Sequence, residues 1–162
     1  YSYSKRFTWL CHLWLGAAIG VAPTAAWIAV TGSLALGPVW LSAGVMCWIA
    51  GFDVLYSLAD ETFDRAHGLH SAPARFGAAR AIAVSRLLHV LAVAMLAGSG
   101  VALSLGGVYY MGVTVVAIAL AYVQSLVKPN DLSRLNTAFF TANGFVSIAL
   151  FGFVLADWMV RR

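Results

Sequence analysis

Three long stretches of the chain, residues 7–52, 87–127 and 135–156, contain no Asp, Glu, Lys or Arg. A helix rising 1.5 Å per residue needs about 20 residues to cross about 30 Å of hydrocarbon. The first two stretches are each long enough for a pair of crossings and the third for one. They are apolar on all sides and do not alternate with period two, which excludes barrel strands of about 10 residues. Turn chemistry divides the long stretches, at Thr31-Gly32-Ser33 and Gly37-Pro38 in the first and at Gly106-Gly107 in the second. The pattern predicts five spans, at about 10–30, 38–58, 82–104, 108–127 and 137–157, in an all-α polytopic membrane protein with one membrane domain over 1–162.

Composition agrees with the pattern. Of the 162 residues, 62% are hydrophobic and 10% charged, with a mean hydropathy of +0.86. A soluble domain carries about a quarter charged residues, so a soluble enzyme is excluded. The cations give the chain an orientation. Lys5, Arg6, Arg65, Arg75, Arg80, Arg86, Lys128 and Arg134 fall on one side of the five spans, and only Arg161 and Arg162 dissent. By the positive-inside rule that side is cytoplasmic. The net charge of +4 then follows from topology and is no argument for nucleic acid. The first residues lack an initiator Met and a small-residue cleavage site, so no signal peptide is read and the chain is expected to begin within a longer protein. Cys11 and Cys47 form no C-x-x-C pair and are read as small hydrophobes.

Four of the six acidic residues, Asp53, Asp60, Glu61 and Asp64, lie in D-V-L-Y-S-L-A-D-E-T-F-D. At about 100° per residue, positions 53, 60 and 64 share one helical face within about 40°, with Tyr56 beside them. Three stacked carboxylates repel one another, and Asp53 lies at the hydrocarbon edge, so a cationic partner is required. Hard oxygen ligands suit Mg²⁺, which keeps several waters and bridges one or two carboxylates to substrate phosphates. The alternative is a solvated helix end paired with Arg65, Arg75 or Arg80. The following loop, R-A-H-G-L-H-S-A-P-A-R-F-G, carries two His and two Arg and could cap a polar headgroup. His67 and His70 lack the third and fourth ligands that zinc needs. His12, His89 and Asn143 sit singly on apolar spans and are read as hydrogen-bonded packing elements.

The stripe D-x-x-Y-x-x-x-D-x-x-x-D followed by H-S-x-P-A-R-F-G resembles the second aspartate-rich motif of the UbiA-type membrane prenyltransferases. The opening Y-S-Y-S-K-R-F-T-W is similar to that family's Y-x-x-x-K-R-x-T segment entering its fifth span. The resemblance covers essentially the whole chain. It implies a bundle of nine transmembrane helices around a cavity open to lipid, of which this chain supplies five. The second aspartate-rich motif is placed at 53–64 and a cytoplasmic loop at about 61–80. The family's first motif, N-D-x-x-D-x-x-x-D-like, is absent here, so the chain resembles a C-terminal half that lacks its N-terminal partner, and alone it is expected to be inactive.

The resemblance further implies that the two motifs hold Mg²⁺ on the diphosphate of a polyprenyl donor while an aromatic acceptor attacks the allylic carbon. Asp53, Asp60 and Asp64 are then the metal ligands, directly or through water. Lys5 and Arg6 become diphosphate contacts, with Tyr56 and Arg75 as lesser candidates. A 4-hydroxybenzoate-like acceptor in ubiquinone biosynthesis is expected, with a dihydroxynaphthoate for menaquinone as the alternative. The setting implied is a bacterial inner membrane. From other classes, a cation or proton-coupled transporter would instead need carboxylates at the bilayer midplane on broken helices, and a noncatalytic scaffold would show no ligand dependence.

Overall fold

Inside hydrocarbon a segment must satisfy its backbone N–H and C=O groups internally, which a lone segment does as a helix. The computed structural model describes residues 3–162, without the side chains of residues 136–142, and its five apolar segments are helical. After a 3-10 turn at Ser4–Arg6 come α1 (Cys11–Gly20) and α2 (Ala22–Thr31), one crossing interrupted at Val21. Pro23 occupies the first turn of α2, where its missing N–H costs nothing. Gly32 closes α2 with a left-handed φ of 68°. The chain returns as α3 (Leu36–Tyr56), tightens into a 3-10 turn at Ser57–Asp60, and continues as α4 (Glu61–Ala66). A loop and α5 (Ala72–Phe76) lead to α6 (Ala78–Ala102), α7 (Gly107–Leu126) and α8 (Leu135–Val160).

The five predicted spans are the five observed, with ends shifted by a few residues. The third begins at Ala78, ahead of position 82, because Gly77, at φ 80°, ends α5 and starts α6 directly. The second differs more. Its helix winds into a 3-10 turn between Asp53 and Glu61, where the Ser57 hydroxyl donates to Val54 O at 2.8 Å.

Lipid tails are as apolar as leucine, so helices in a bilayer associate through close packing and hydrogen bonds. Small residues provide both. Gly16 and Gly20, one turn apart on α1, lie against Ser42 and Met46 of α3. Gly44 and Gly51 on the opposite side of α3 admit Ala92, Leu96 and His89 of α6. Gly112 of α7 receives Phe153 of α8. α3 is therefore central, flanked by α1 and α6, and the core joins its Trp48, Phe52 and Leu55 to residues of α6 and α7 and to Val146 of α8.

Buried polar groups tie the same helices. The Ser85 hydroxyl donates to Gly51 O at 2.7 Å, and the Gln124 amide donates to Ser85 Oγ at 2.8 Å and to His89 Nδ1 at 2.9 Å. Asp157 of α8 is buried and accepts from the N–H groups of Gly106 and Tyr109, capping the start of α7. Trp14, Ile19, Val30, Ile148 and Phe151 point outward, an arrangement suited to hydrocarbon as the solvent.

A Cβ at Gly20 would stand 2.8 Å from Met46 N and 2.9 Å from Ser42 O, whereas one at Gly152 meets nothing within 4 Å. Gly20→Ala should therefore destabilise the intact protein by about 1–3 kcal/mol and Gly152→Ala should not, as read from thermal unfolding in detergent.

Candidate functional site

The bundle's charged end is assembled from segments far apart in sequence. Lys5, in the turn before α1, reaches across to the residues following α3. Its Nζ lies 3.4 Å from Asp64 Oδ2 and 3.7 Å from Asp60 Oδ2. Asp64 is buried, Asp60 is about half exposed with 51% of its side-chain surface accessible, and Lys5 is largely covered. An ionised carboxylate removed from water needs a counter-charge, and Lys5 supplies it. The backbone fixes the same neighbourhood. His70 N–H donates to Lys5 O at 2.6 Å and Leu69 N–H to Asp64 O at 2.8 Å.

Of the three carboxylates that the helical wheel aligns, two share a contact with Lys5 and the third is held by His12. The 3-10 turn at Ser57–Asp60 changes the twist between Asp53 and the others. Asp60 and Asp64 meet at Lys5, while Asp53 Oδ2 lies 2.6 Å from Nδ1 of His12 on α1. Among the described residues no three His, Cys, Asp or Glu side chains converge to hold a metal ion. This chain thus offers a pair of convergent carboxylates, Asp60 and Asp64, with Asp53 in a separate contact.

The other candidates lie around this pair. Arg6 is exposed with its guanidinium 5.3 Å from the Tyr3 ring centre, and Arg75 is exposed over the Phe76 ring at 5.6 Å. Tyr56 is partly exposed at the end of α3. Arg65 pairs with Glu61 at 2.9 Å, so this acidic residue is neutralised within its own helix. Of the cations expected at the diphosphate, Lys5 meets Asp60 and Asp64. Tyr1 and Ser2 of the opening motif lie outside the described residues. Asn143 Oδ1 is buried, with no hydrogen-bond partner among the described residues. In the loop between α7 and α8, Ser133 donates to Asp131 from its hydroxyl and its N–H, which holds that carboxyl below its ordinary range.

His12 is buried and bonded at both ring nitrogens, as a hydrogen-bonded packing element should be, but sequence reasoning did not name its partners, Asp53 and the Ala72 N–H. The signal was available: Asp53 at the hydrocarbon edge demands a partner, and the adjacent span offers an imidazole at His12.

The sequence profile of the UbiA prenyltransferase family matches residues 1–156. The chain belongs to that family. Among its UbiA relatives, the 4-hydroxybenzoate octaprenyltransferase of Methylococcus capsulatus is 31% identical over 159 residues, 98% of this chain and 54% of that protein. The protein of the same description from Marinobacter nauticus is 32% identical, over 93% of this chain and 51% of its own length. The chain spans about half the length of the curated relatives it matches. The apo structure of a UbiA homolog from Aeropyrum pernix K1 superposes with a TM-score of 0.80 at 31% identity, covering 96% of this chain and 58% of that one. The all-helical membrane fold expected from the resemblance is the UbiA fold.

Because Asp64 is buried against Lys5 while Arg6 is exposed, Lys5→Met should destabilise the intact protein by about 1–3 kcal/mol and Arg6→Met by much less. Chemical unfolding of the two variants side by side checks the difference.

Proposed function

We propose that the protein is a Mg²⁺-dependent prenyltransferase that moves a polyprenyl group from its diphosphate to a 4-hydroxybenzoate-like acceptor in quinone biosynthesis. The observation that carries this reading is the convergence of Asp60 and Asp64 on Lys5, at the charged end of an apolar bundle of the UbiA family. The names of the relatives favour 4-hydroxybenzoate over a dihydroxynaphthoate as the acceptor. The cationic loops argue for the cytoplasmic face of a bacterial inner membrane. In this reading the first aspartate-rich motif comes from a segment outside this chain.

The donor set fits the metal. Two carboxylates that already share one cationic centre are hard oxygen ligands, and Mg²⁺ accepts one or two of these while retaining water and phosphate oxygens. Asp60 and Asp64 would hold it. When bound, Mg²⁺ would draw charge from the leaving diphosphate. Lys5 would hold the same diphosphate by charge-assisted hydrogen bonds, and Arg6 and Arg75, exposed at the same end, are long enough to swing toward it. The apolar helices would take the isoprenoid tail and exclude water from the allylic carbon, where the electron-rich ring of the acceptor attacks. Transport is disfavoured by placement, since Asp60 and Asp64 follow the end of α3, away from the bilayer midplane.

The test uses the intact protein in membranes, with a labelled polyprenyl diphosphate and 4-hydroxybenzoate. Prenylated acceptor should form with Mg²⁺ and disappear on chelation. The isosteric Asp64→Asn should lower turnover about a hundredfold or more, the size of a few kcal/mol of lost charge stabilisation. Full turnover in that variant would overturn the assignment, and product from a dihydroxynaphthoate alone would move it to the alternative acceptor.

A further inference from the structure

His12 is buried on the first span and hydrogen-bonded at both ring nitrogens, and the reading above gives it no catalytic role. It is only 2% exposed. Its Nε2 lies 3.2 Å from the Ala72 N–H, a group that can only donate, so Nε2 must be the unprotonated acceptor. The ring proton therefore sits on Nδ1, which donates to Asp53 Oδ2 at 2.6 Å. One neutral imidazole thus links three elements: α1 by its own backbone, α3 through Asp53, and the start of α5 through Ala72.

The contact sits in a seam. His70 N–H donates to Lys5 O at 2.6 Å, and the Cys11 thiol lies 3.5 Å from His70 O. Ser71 caps α5 by accepting from Ala74 N–H at 3.4 Å, and Arg75 follows within the same short helix. The loop that carries Arg75 is consequently docked on the segment that carries Lys5, and in this seam His12 also touches Asp53, the acidic residue of α3. An apolar side chain at position 12 would leave the Ala72 N–H without its acceptor and Asp53 without this donor, both at the edge of hydrocarbon.

We propose that His12 is a positioning residue of the diphosphate site: as the Nδ1–H tautomer it joins Asp53 to the Ala72 amide and so sets the 70–76 loop, with Arg75, against Lys5 and the end of α3. This inference rests on the prenyl-transfer reading for its catalytic consequence and on the two hydrogen bonds for its geometry. Gln can offer one amide donor and one carbonyl acceptor from the same backbone position, whereas Leu fills the volume and offers neither.

The test compares the intact protein with His12→Gln and His12→Leu, all confirmed as folded by thermal unfolding in detergent. His12→Leu should lower kcat/KM for the polyprenyl diphosphate about tenfold or more, as misplaced contacts do. His12→Gln should return it to within about threefold of the parent. Unchanged kcat/KM in His12→Leu, or equal loss in both variants, overturns the proposal. A second measurement needs no turnover and no variant that folds poorly. In ¹⁵N-histidine-labelled protein the resonance missing from His12→Gln should carry the chemical shifts of a neutral Nδ1–H imidazole, and an Nε2–H tautomer there overturns the bridge. Should the parent transfer no prenyl group at all, the functional reading fails while the tautomer still decides the bridge.

Discussion

A bilayer excludes charge, and nearly everything specific about this chain follows from where its few charged groups are allowed to go. Most of them collect at one end of five apolar helices, where Lys5 meets Asp60 and, 59 positions along the chain, Asp64. Asp64 is nearly sealed from solvent, and the Lys5 ammonium is the partner it has there. The same contact draws the segment before α1 onto the turn after α3, and the His70 amide then binds the Lys5 carbonyl. A single electrostatic requirement thus fixes the entry of the first span, the exit of the second and the loop between the second and third.

Below this charged layer, the helices are held by shape. The contacts of α1 and α6 with α3 rest on glycines that let backbone and side chains approach within a distance no Cβ permits. Such packing is rigid because nothing in lipid rewards a looser arrangement. Rigidity there benefits the charged end. Two carboxylates can present oxygens to one cation only if α3 and the turn after it keep their relative position, and the Ser57 hydroxyl bond to Val54 O helps to set that turn.

The five spans were legible because their signal is crude and long: uncharged runs, glycine and proline at the turns, cations on one side. The loop's Ser71 cap and Pro73 were equally visible in H-S-A-P-A-R-F-G. The arrangement within 53–64 was not. A helical wheel assumes one constant twist, and the four residues of 3-10 turn between Tyr56 and Glu61 break that assumption at the place where three carboxylates seemed aligned. The partners of His12 were hidden for a different reason. In sequence it is one polar residue among apolar ones, and its two partners, Asp53 and Ala72, lie 41 and 60 positions away. Local spacing carries no trace of such a contact, although the unmet need of Asp53 for a donor pointed to one.

The claim at the centre of this account is that Asp60 and Asp64 form half of a divalent-metal site completed by a prenyl diphosphate. The most direct measurement is electron paramagnetic resonance of Mn²⁺, used in place of Mg²⁺, titrated into the intact protein with and without a polyprenyl diphosphate. The account predicts bound Mn²⁺ whose affinity rises when the diphosphate is present and whose signal is lost in Asp60→Asn combined with Asp64→Asn. Mn²⁺ binding that ignores the diphosphate, or that survives in the double variant, would contradict it.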